Sequence, residues 1–377
     1  MKAEVQMKHA LAILKSFDCK IPLSFHLKKY FRHYRNAGSK DRKILASLSF
    51  QYFRLKGAYQ NIDMQNTIIQ ASANDDLLSE FYLYWANKNG FEFKDFALNK
   101  SESEESYFPL QDQLSSQLDI TSFLESHRQQ PKTFIHIHST HFEDVKSEAE
   151  LLHFQFQVEE ENCISFSNHY ALEQMKSFEK GYFEIQDISS QQLKKFLRPK
   201  HGELWWDCCA GSGGKSILLS ALQKNIQLTV SDLREPILEN LKMRFNKRGI
   251  INYYSYCLDL TQEEELNHLP DFDNIIADLP CSGTGTWSRT PEWLSFFTER
   301  QLQTYSDKQK NIVKNITKKL KSGGILYYCT CSVYAEENEK NVEWFCKHLS
   351  LKKMHEYYFQ YSKKNGDTLF VAVLEKV

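Results

Sequence analysis

The sequence lacks any apolar run approaching the roughly 20 residues that span a bilayer, which excludes a helical membrane protein. Its first residues, MKAEVQMKHALAILKSF, lack a secretory h-region and a small-residue cleavage site, so a cytoplasmic protein is expected. No CxxC pair occurs. The nine cysteines (Cys19, Cys163, Cys208, Cys209, Cys257, Cys281, Cys329, Cys331 and Cys346) are odd in number in a chain of 377 residues, which argues against a disulfide framework. Without His pairs beside them they make no zinc site either, so no metal is expected and most should pack as small core hydrophobes. There is no internal repeat and no low-complexity tract. Net charge is also nearly absent, at −1, but it is unevenly spread. Lys28, Lys29, Arg32, Arg35, Lys40, Arg42 and Lys43 crowd together with only Asp41 among them, whereas residues 61–161 are acidic, with Glu102, Glu104, Glu105 and Glu159–Glu161. A basic N-terminal face suits a polyanion; a solvated helix surface would look the same.

What is present is ordinary for a globular chain, with 41 % hydrophobic and 25 % charged residues and a length that suits two or three domains. Residues 4–18 and 41–55 carry apolar residues at helical spacing, the second with Ser39 or Asp41 as N-cap. Residues 75–88 also predict a helix, and no strand pattern precedes residue 130. The polar stretch Asn99–Ser106 predicts a linker. Residues 133–138 (TFIHIH) alternate as a half-buried strand should, and strand-like 154–158 and 163–167 follow a helical stretch at 143–152, giving a small α+β unit. Residues 184–197 lead into a helix. From residue 203, strands are predicted at 203–208, 227–231, 252–256, 273–278 and 324–330, with helices at 214–224, 235–247, 299–321 and 335–349. Two last strands, 355–361 and 368–374, flank the turn signal Lys363–Asp367. The expected division is a helical module (1–105), an α+β unit with a leading helix (106–200) and an α/β domain (201–377). Strand–helix alternation implies a doubly wound, mostly parallel sheet, which binds ligands beyond the carboxyl ends of its strands.

The first such end reads Asp207-Cys208-Cys209-Ala210-Gly211-Ser212-Gly213-Gly214-Lys215. Glycines let the backbone turn sharply against a ligand, and the helix start adds free N–H groups. Asp232 closes the second strand, placed to accept both hydroxyls of a ribose; Asp259 follows the third, within reach of an adenine amino group. A P-loop needs Gly at position 209, where Cys stands, and a dinucleotide fingerprint needs a last Gly where Ser216 stands. An adenosylmethionine site needs only the glycine turn and the acid, and fits best. A plain strand-to-helix turn remains the alternative.

The fourth strand ends in Asp278-Leu279-Pro280-Cys281-Ser282-Gly283-Thr284-Gly285 and the fifth in Thr330-Cys331-Ser332. Two thiols thus stand at the ends of adjacent strands. C5 of cytosine is a poor nucleophile until a nucleophile adds at C6, and a thiolate suits that addition. A proton or hydrogen bond at N3, for which Asp278 is suited, makes C6 more electrophilic. A second thiol can help release the first.

These motifs resemble those of the Sun/Fmu group of RNA cytosine-5 methyltransferases, which includes the RsmB-like ribosomal RNA enzymes. Its D-x-C-A-A-P-G-G-K corresponds to Asp207–Lys215, with Gly211 and Ser212 as departures. Its D-x-P-C-S-G-x-G corresponds to Asp278–Gly285, its R-x-P-[DE] to Arg289–Glu292, and its T-C-S-x-x-x-x-E-N-E to Thr330–Glu339. Gly181–Gln191 resembles its G-x-F-x-V-Q-D-E-A-S-Q, with Ile188 in place of an acid. The resemblance implies a Rossmann-like class I methyltransferase domain behind an RRM-like subdomain and a helical RNA-binding module. It implies Cys331 as nucleophile and Cys281 as the aid to release. It also implies an S-adenosyl-L-methionine site from Cys209, Ala210, Gly211, Ser212, Gly213, Gly214 and Lys215 with Asp232, Asp259 and Asp278, and Lys215 at the target base or, alternatively, as a solvated helix-start lysine.

The expected reaction is methylation of C5 of a cytosine in single-stranded or loop RNA, where unstacked bases can be reached. Small-subunit ribosomal RNA is favoured and tRNA is the alternative. Neither a membrane nor a metal takes part, and a monomer is expected. Trp287, Phe296 and Phe297 are candidates to stack on the base, or else to pack in a core. Three rivals stay open: a DNA cytosine-5 methyltransferase whose Pro-Cys thiol attacks, a non-catalytic ribosome assembly factor that kept the fold, and a nicotinamide dehydrogenase, which leaves both cysteine motifs unexplained.

Overall fold

The computed structural model describes residues 1–59, 62–73, 75–89, 108–166 and 170–377; the expected linker Asn99–Ser106 lies outside them. No helix among the described residues is long and apolar enough to cross a membrane. The chain divides into two compact units, Met1–Asp112 with His127–Gln129 and Trp287–Thr298, and Gln113–Ser126 with Gln130–Thr286 and Glu299–Val377.

The first unit is helical: α1 (Ala3–Ser16), α2 (Leu23–His33), α3 (Ser39–Leu55), α4 (Met64–Ser72) and α5 (Ser79–Asn89). Their apolar stripes close over one core that includes Ile13, Leu23, Leu48, Phe53, Ile69 and Phe81. Neither Ser39 nor Asp41 caps α3. Gly38 holds the N-cap position without a side-chain bond, and Asp41 lies inside the first turn, where its carboxylate meets the positive end of the helix dipole. The basic residues Lys28, Lys29, Arg32, Arg35, Lys40, Arg42 and Lys43 are all exposed. Segment Trp287–Thr298 packs in this unit although it comes from the α/β half of the sequence. Glu292, 2 % exposed, accepts the Leu23 N–H at 3.0 Å at the start of α2. Buried Arg54 donates to the carbonyls of Gln129 and Ser288 at 2.9 and 2.8 Å.

The second unit contains two sheets. The smaller has β1 (Thr133–Ile137), β2 (Phe156–Glu160), β3 (Cys163–Phe166) and β4 (Phe183–Ile185) in antiparallel order β2-β3-β1-β4. Strand β1 is not half-buried as its alternation predicts, because both its faces are covered. Ile135 and Ile137 join a cluster with Val145 and Ala149, while Phe134 packs with Cys163, Ile188 and Tyr361. His136 shares the second face, is 8 % exposed, and its Nδ1 has no hydrogen-bond partner among the described residues. Burial, with Lys194, Arg248 and His138 nearby, lowers its pKa from 6.5 to about 4. The folded chain therefore keeps His136 neutral where the unfolded chain takes up a proton. Stability is lost as pH falls from 6.5 towards 4. Relative to His136→Gln, the wild type should lose about 2 kcal/mol more between pH 7 and pH 5 in urea unfolding; equal losses would contradict this account.

The larger sheet has β5 (Leu204–Asp207), β6 (Gln227–Asp232), β7 (Tyr253–Cys257), β8 (Phe272–Asp278), β9 (Leu320–Thr330), β10 (Leu351–Gln360) and β11 (Thr368–Lys376) in the order β10-β11-β9-β8-β5-β6-β7. Strands β5 to β9 pair in parallel; β10 and β11 are antiparallel. The helices include α6 (Gly214–Leu222), α7 (Glu235–Lys247), α8 (Glu299–Ile316) and α9 (Glu339–His348). Strand β5 is central and carries the fully buried Trp205 and Trp206, each burial worth on the order of 3 kcal/mol. The chain leaves β5 for β6 on one side and later returns to β8 on the other, which opens a crevice at their carboxyl ends. Strand β9 starts at Leu320, four residues before the expected Gly324. Gly323 and Gly324 form an irregularity inside the strand: Gly323 has φ +74°, and a Cβ on Gly324 would stand 2.8 Å from the Asp273 carbonyl.

Candidate active site

The turn after β5 is built by backbone bonds that reach across the sheet. Cys208 N–H donates to the Ile276 carbonyl at 2.9 Å and Ala210 N–H to the Ser231 carbonyl at 2.8 Å. Gly211 and Gly213 are left-handed, at φ +54° and +84°. At Gly213 a Cβ would also stand 2.6 Å from the Phe245 ring, so only glycine fits there. Ser212 stands where the resemblance places a proline, and side-chain bonds hold it. The Arg244 guanidinium donates to its carbonyl at 2.8 Å and its hydroxyl at 2.6 Å while pairing with Glu184. Sequence reading missed Arg244 and Glu184 because they come from α7 and β4, with no local pattern to tie them to the turn.

Asp232 ends β6, is 5 % exposed, and accepts the Gly211 N–H at 3.0 Å. Its carboxylate also receives the exposed Arg234 guanidinium at 2.9 Å. Asp207 is buried beneath the turn and accepts from Ser216 Oγ at 2.6 Å; burial raises its pKa to about 7. Lys215 is not a solvated lysine. It is 8 % exposed and its Nζ meets Asp278 Oδ2 at 2.5 Å. Burial alone would lower its pKa, but the charges of Asp278 and its neighbours raise it instead, so Lys215 stays charged.

Cys281 and Cys331 come together with their sulfurs 3.3 Å apart. Close backbone approach makes this possible. Gly285 N–H donates to the Cys331 carbonyl at 2.7 Å, and a Cβ on Gly285 would stand 2.6 Å from the Thr368 carbonyl. The hydrogen bond with Cys331, then burial, pushes the Cys281 thiol well above its usual range, so it stays protonated. The other buried thiols are inert by comparison: Cys163, Cys208 and Cys329 are at most 1 % exposed, and burial pushes Cys163 up to about 12.

A cavity of about 630 Å³ joins these groups, within the usual range for ligand pockets. Cys209, Ala210, Gly211, Ser212, Gly214, Lys215, Asp232, Asp278, Cys281 and Cys331 all line it, and Gly213 shapes the same turn from behind. Its wall also takes Ile185, Gln186 and Ser190 from the Gly181–Gln191 motif, and Lys308 from α8. Asp259 is not in the wall. Its carboxylate caps a turn, accepting from Thr261 N–H at 3.0 Å and Oγ1 at 2.7 Å. Trp287, Phe296 and Phe297 are packed within the helical unit, with Trp287 stacked on Phe108 and Phe296 edge-on to Phe17 and Phe53, so none presents a free ring for a base. No group of three or more metal-ligating side chains occurs among the described residues.

The donor set fits S-adenosyl-L-methionine. A glycine turn that admits no Cβ at Gly213 meets a buried carboxylate at the next strand end, with Leu233 and Leu279 as apolar wall. The thiols share that cavity, so a nucleophile and a methyl donor can serve one substrate.

Comparison with known proteins agrees with this layout. The family described as 16S rRNA methyltransferase RsmB/F matches residues 194–373. The chain is 28 % identical over 235 residues to ribosomal RNA small subunit methyltransferase B of Escherichia coli O6:K15:H31, covering 59 % of this chain and 53 % of that protein. It is 33 % identical over 229 residues to the protein of the same name from Pasteurella multocida, covering 55 % and 50 %. The chain thus spans about half the length of these curated relatives. Among solved structures, PH0851 superposes with a TM-score of 0.74 at 20 % identity, covering 100 % of this chain and 99 % of that one, which shows a shared fold.

Proposed function

From the match of residues 194–373 to the family described as 16S rRNA methyltransferase RsmB/F, we propose that this chain methylates C5 of a cytosine in small-subunit ribosomal RNA through a covalent Cys331–C6 adduct. The observation that carries the reading is the pair of thiols in contact on the wall that also holds the glycine turn and Asp232. S-adenosyl-L-methionine, when bound, supplies the methyl group that C5 accepts. The Cys331 thiolate adds to C6, and the electrons of the C5–C6 double bond become available at C5. The Lys215–Asp278 pair offers the base edge one donor and one acceptor, the ammonium towards N3 and O2 and the carboxylate towards the N4 amino group. After transfer the C5 proton passes to solvent, the electron pair it leaves restores the C5–C6 double bond, and the C6–S bond breaks to release the Cys331 thiolate. Cys281, held as a thiol beside the departing sulfur, donates a hydrogen bond to the thiolate as it leaves. The exposed lysines and arginines of α2 and α3 add phosphate affinity. One chain carries every group named, so a monomer suffices.

The test is transfer of tritiated methyl from S-adenosyl-L-methionine to transcripts of small-subunit ribosomal RNA and of tRNA, followed by digestion to nucleosides. Label in 5-methylcytidine from the ribosomal transcript is the expected result. Label in tRNA alone would move the substrate, and label on any atom other than C5 would overturn the chemistry.

A further inference from the structure

Glu337 is 0 % exposed and does not line the cavity, yet its carboxylate collects four donors. It accepts the Ser282 N–H at 2.9 Å, the Ser282 hydroxyl, the Ser332 hydroxyl, and Gln309 Nε2 at 2.9 Å. Ser282 directly follows Cys281, and Ser332 directly follows Cys331. The same Gln309 amide donates to the Pro280 carbonyl at 3.0 Å, on the other side of Cys281. The next residue, Asn338, donates to the Ser332 carbonyl at 2.8 Å and accepts from the Thr330 hydroxyl, so both neighbours of Cys331 are held as well. Tyr328 and Asn341 fix Gln309 in turn, at 3.0 and 2.7 Å.

A buried carboxylate is costly, and it persists only where its oxygens are satisfied. Here three of its four donors come from the two residues that follow the thiols, and the fourth from the amide that also bonds the residue before one of them. We propose that Glu337 is a positioning residue that holds Cys281 and Cys331 in sulfur-to-sulfur contact by bonding the turn behind each of them. The proposal deepens the two-thiol reading and rests on it for its catalytic consequence, but its geometric content stands without activity. A carboxylate can accept from both turns at once; an amide must turn one donor towards them, and a methyl group removes all four bonds.

The test uses the full chain and the thiol pair as a ruler. Diamide oxidises two adjacent thiols to a disulfide, taking up their two hydrogens as it becomes the hydrazine. In the wild type the peptides holding Cys281 and Cys331 should cross-link rapidly. In Glu337→Ala the rate should fall at least tenfold and kcat about 100-fold, while the KM for S-adenosyl-L-methionine stays within threefold; Glu337→Gln should lie between. Ser332→Ala, which removes one donor, should slow cross-linking several-fold and serves if Glu337→Ala does not fold. Wild-type cross-linking in folded Glu337→Ala, or in Ser332→Ala should the first not fold, overturns the proposal. A chain that cross-links as described but methylates no RNA would instead overturn the proposed function.

Discussion

Cys331→Ala should abolish methyl transfer, with a fall on the order of 10⁴-fold or more, because the proposed addition at C6 runs through that sulfur. Binding of S-adenosyl-L-methionine should survive, since the proposed cofactor end of the cavity is the turn Cys209–Lys215 with Asp232. Cys281→Ala should behave differently. Addition and transfer proceed, but the departing Cys331 sulfur loses the thiol that lies 3.3 Å away. Protein should therefore accumulate as a covalent RNA adduct, visible as a band of lower mobility on a denaturing gel and absent from the Cys281→Ala/Cys331→Ala double variant. Normal turnover in Cys331→Ala, with adducts formed through Cys281, would invert the two roles and favour the DNA-type mechanism.

Asp232→Ala should weaken S-adenosyl-L-methionine binding by about 100-fold or more. Hydrogen bonds from two ribose hydroxyls to a carboxylate are worth roughly 1.5–3 kcal/mol each, and 1.4 kcal/mol is tenfold in Kd. The lower end applies, because the ribose must first displace the Arg234 guanidinium from the same carboxylate. The substitution also orphans the Gly211 N–H, which loosens the turn itself. Arg234→Ala is the control: it should leave affinity unchanged or slightly improved. Titration calorimetry separates the two, and an unchanged Kd in Asp232→Ala would remove the ribose from this strand end.

The larger sheet was largely legible because its inner strands β5, β6, β8 and β11, and the C-terminal half of β9, are buried. A continuous apolar run such as Leu204-Trp205-Trp206 admits few other readings. The two thiols were legible for a related reason: a strand end in a doubly wound sheet is a fixed address. What escaped were mainly relations between distant segments, and one local turn. Nothing in the sequence near Ser212 announces that Arg244 will bond it. Asp259 has the spacing of an adenine ligand, but a nearby Thr261 claims its oxygen first. Lys215 looks like any lysine at a helix start until Asp278 is folded against it. Trp287 and Phe297 follow a catalytic motif in sequence and still pack elsewhere, because their neighbours are chosen by the helical unit.

That last arrangement limits how the molecule can be divided. The stretch Trp287–Thr298 is spliced out of the catalytic half and built into the helical one. A fragment starting at the small sheet would carry it without its partners, baring an indole and stranding the carboxylate of Glu292 that had served the Leu23 amide. A single cut ahead of the small sheet therefore parts the N-terminal helices from a dozen residues of their own compact unit.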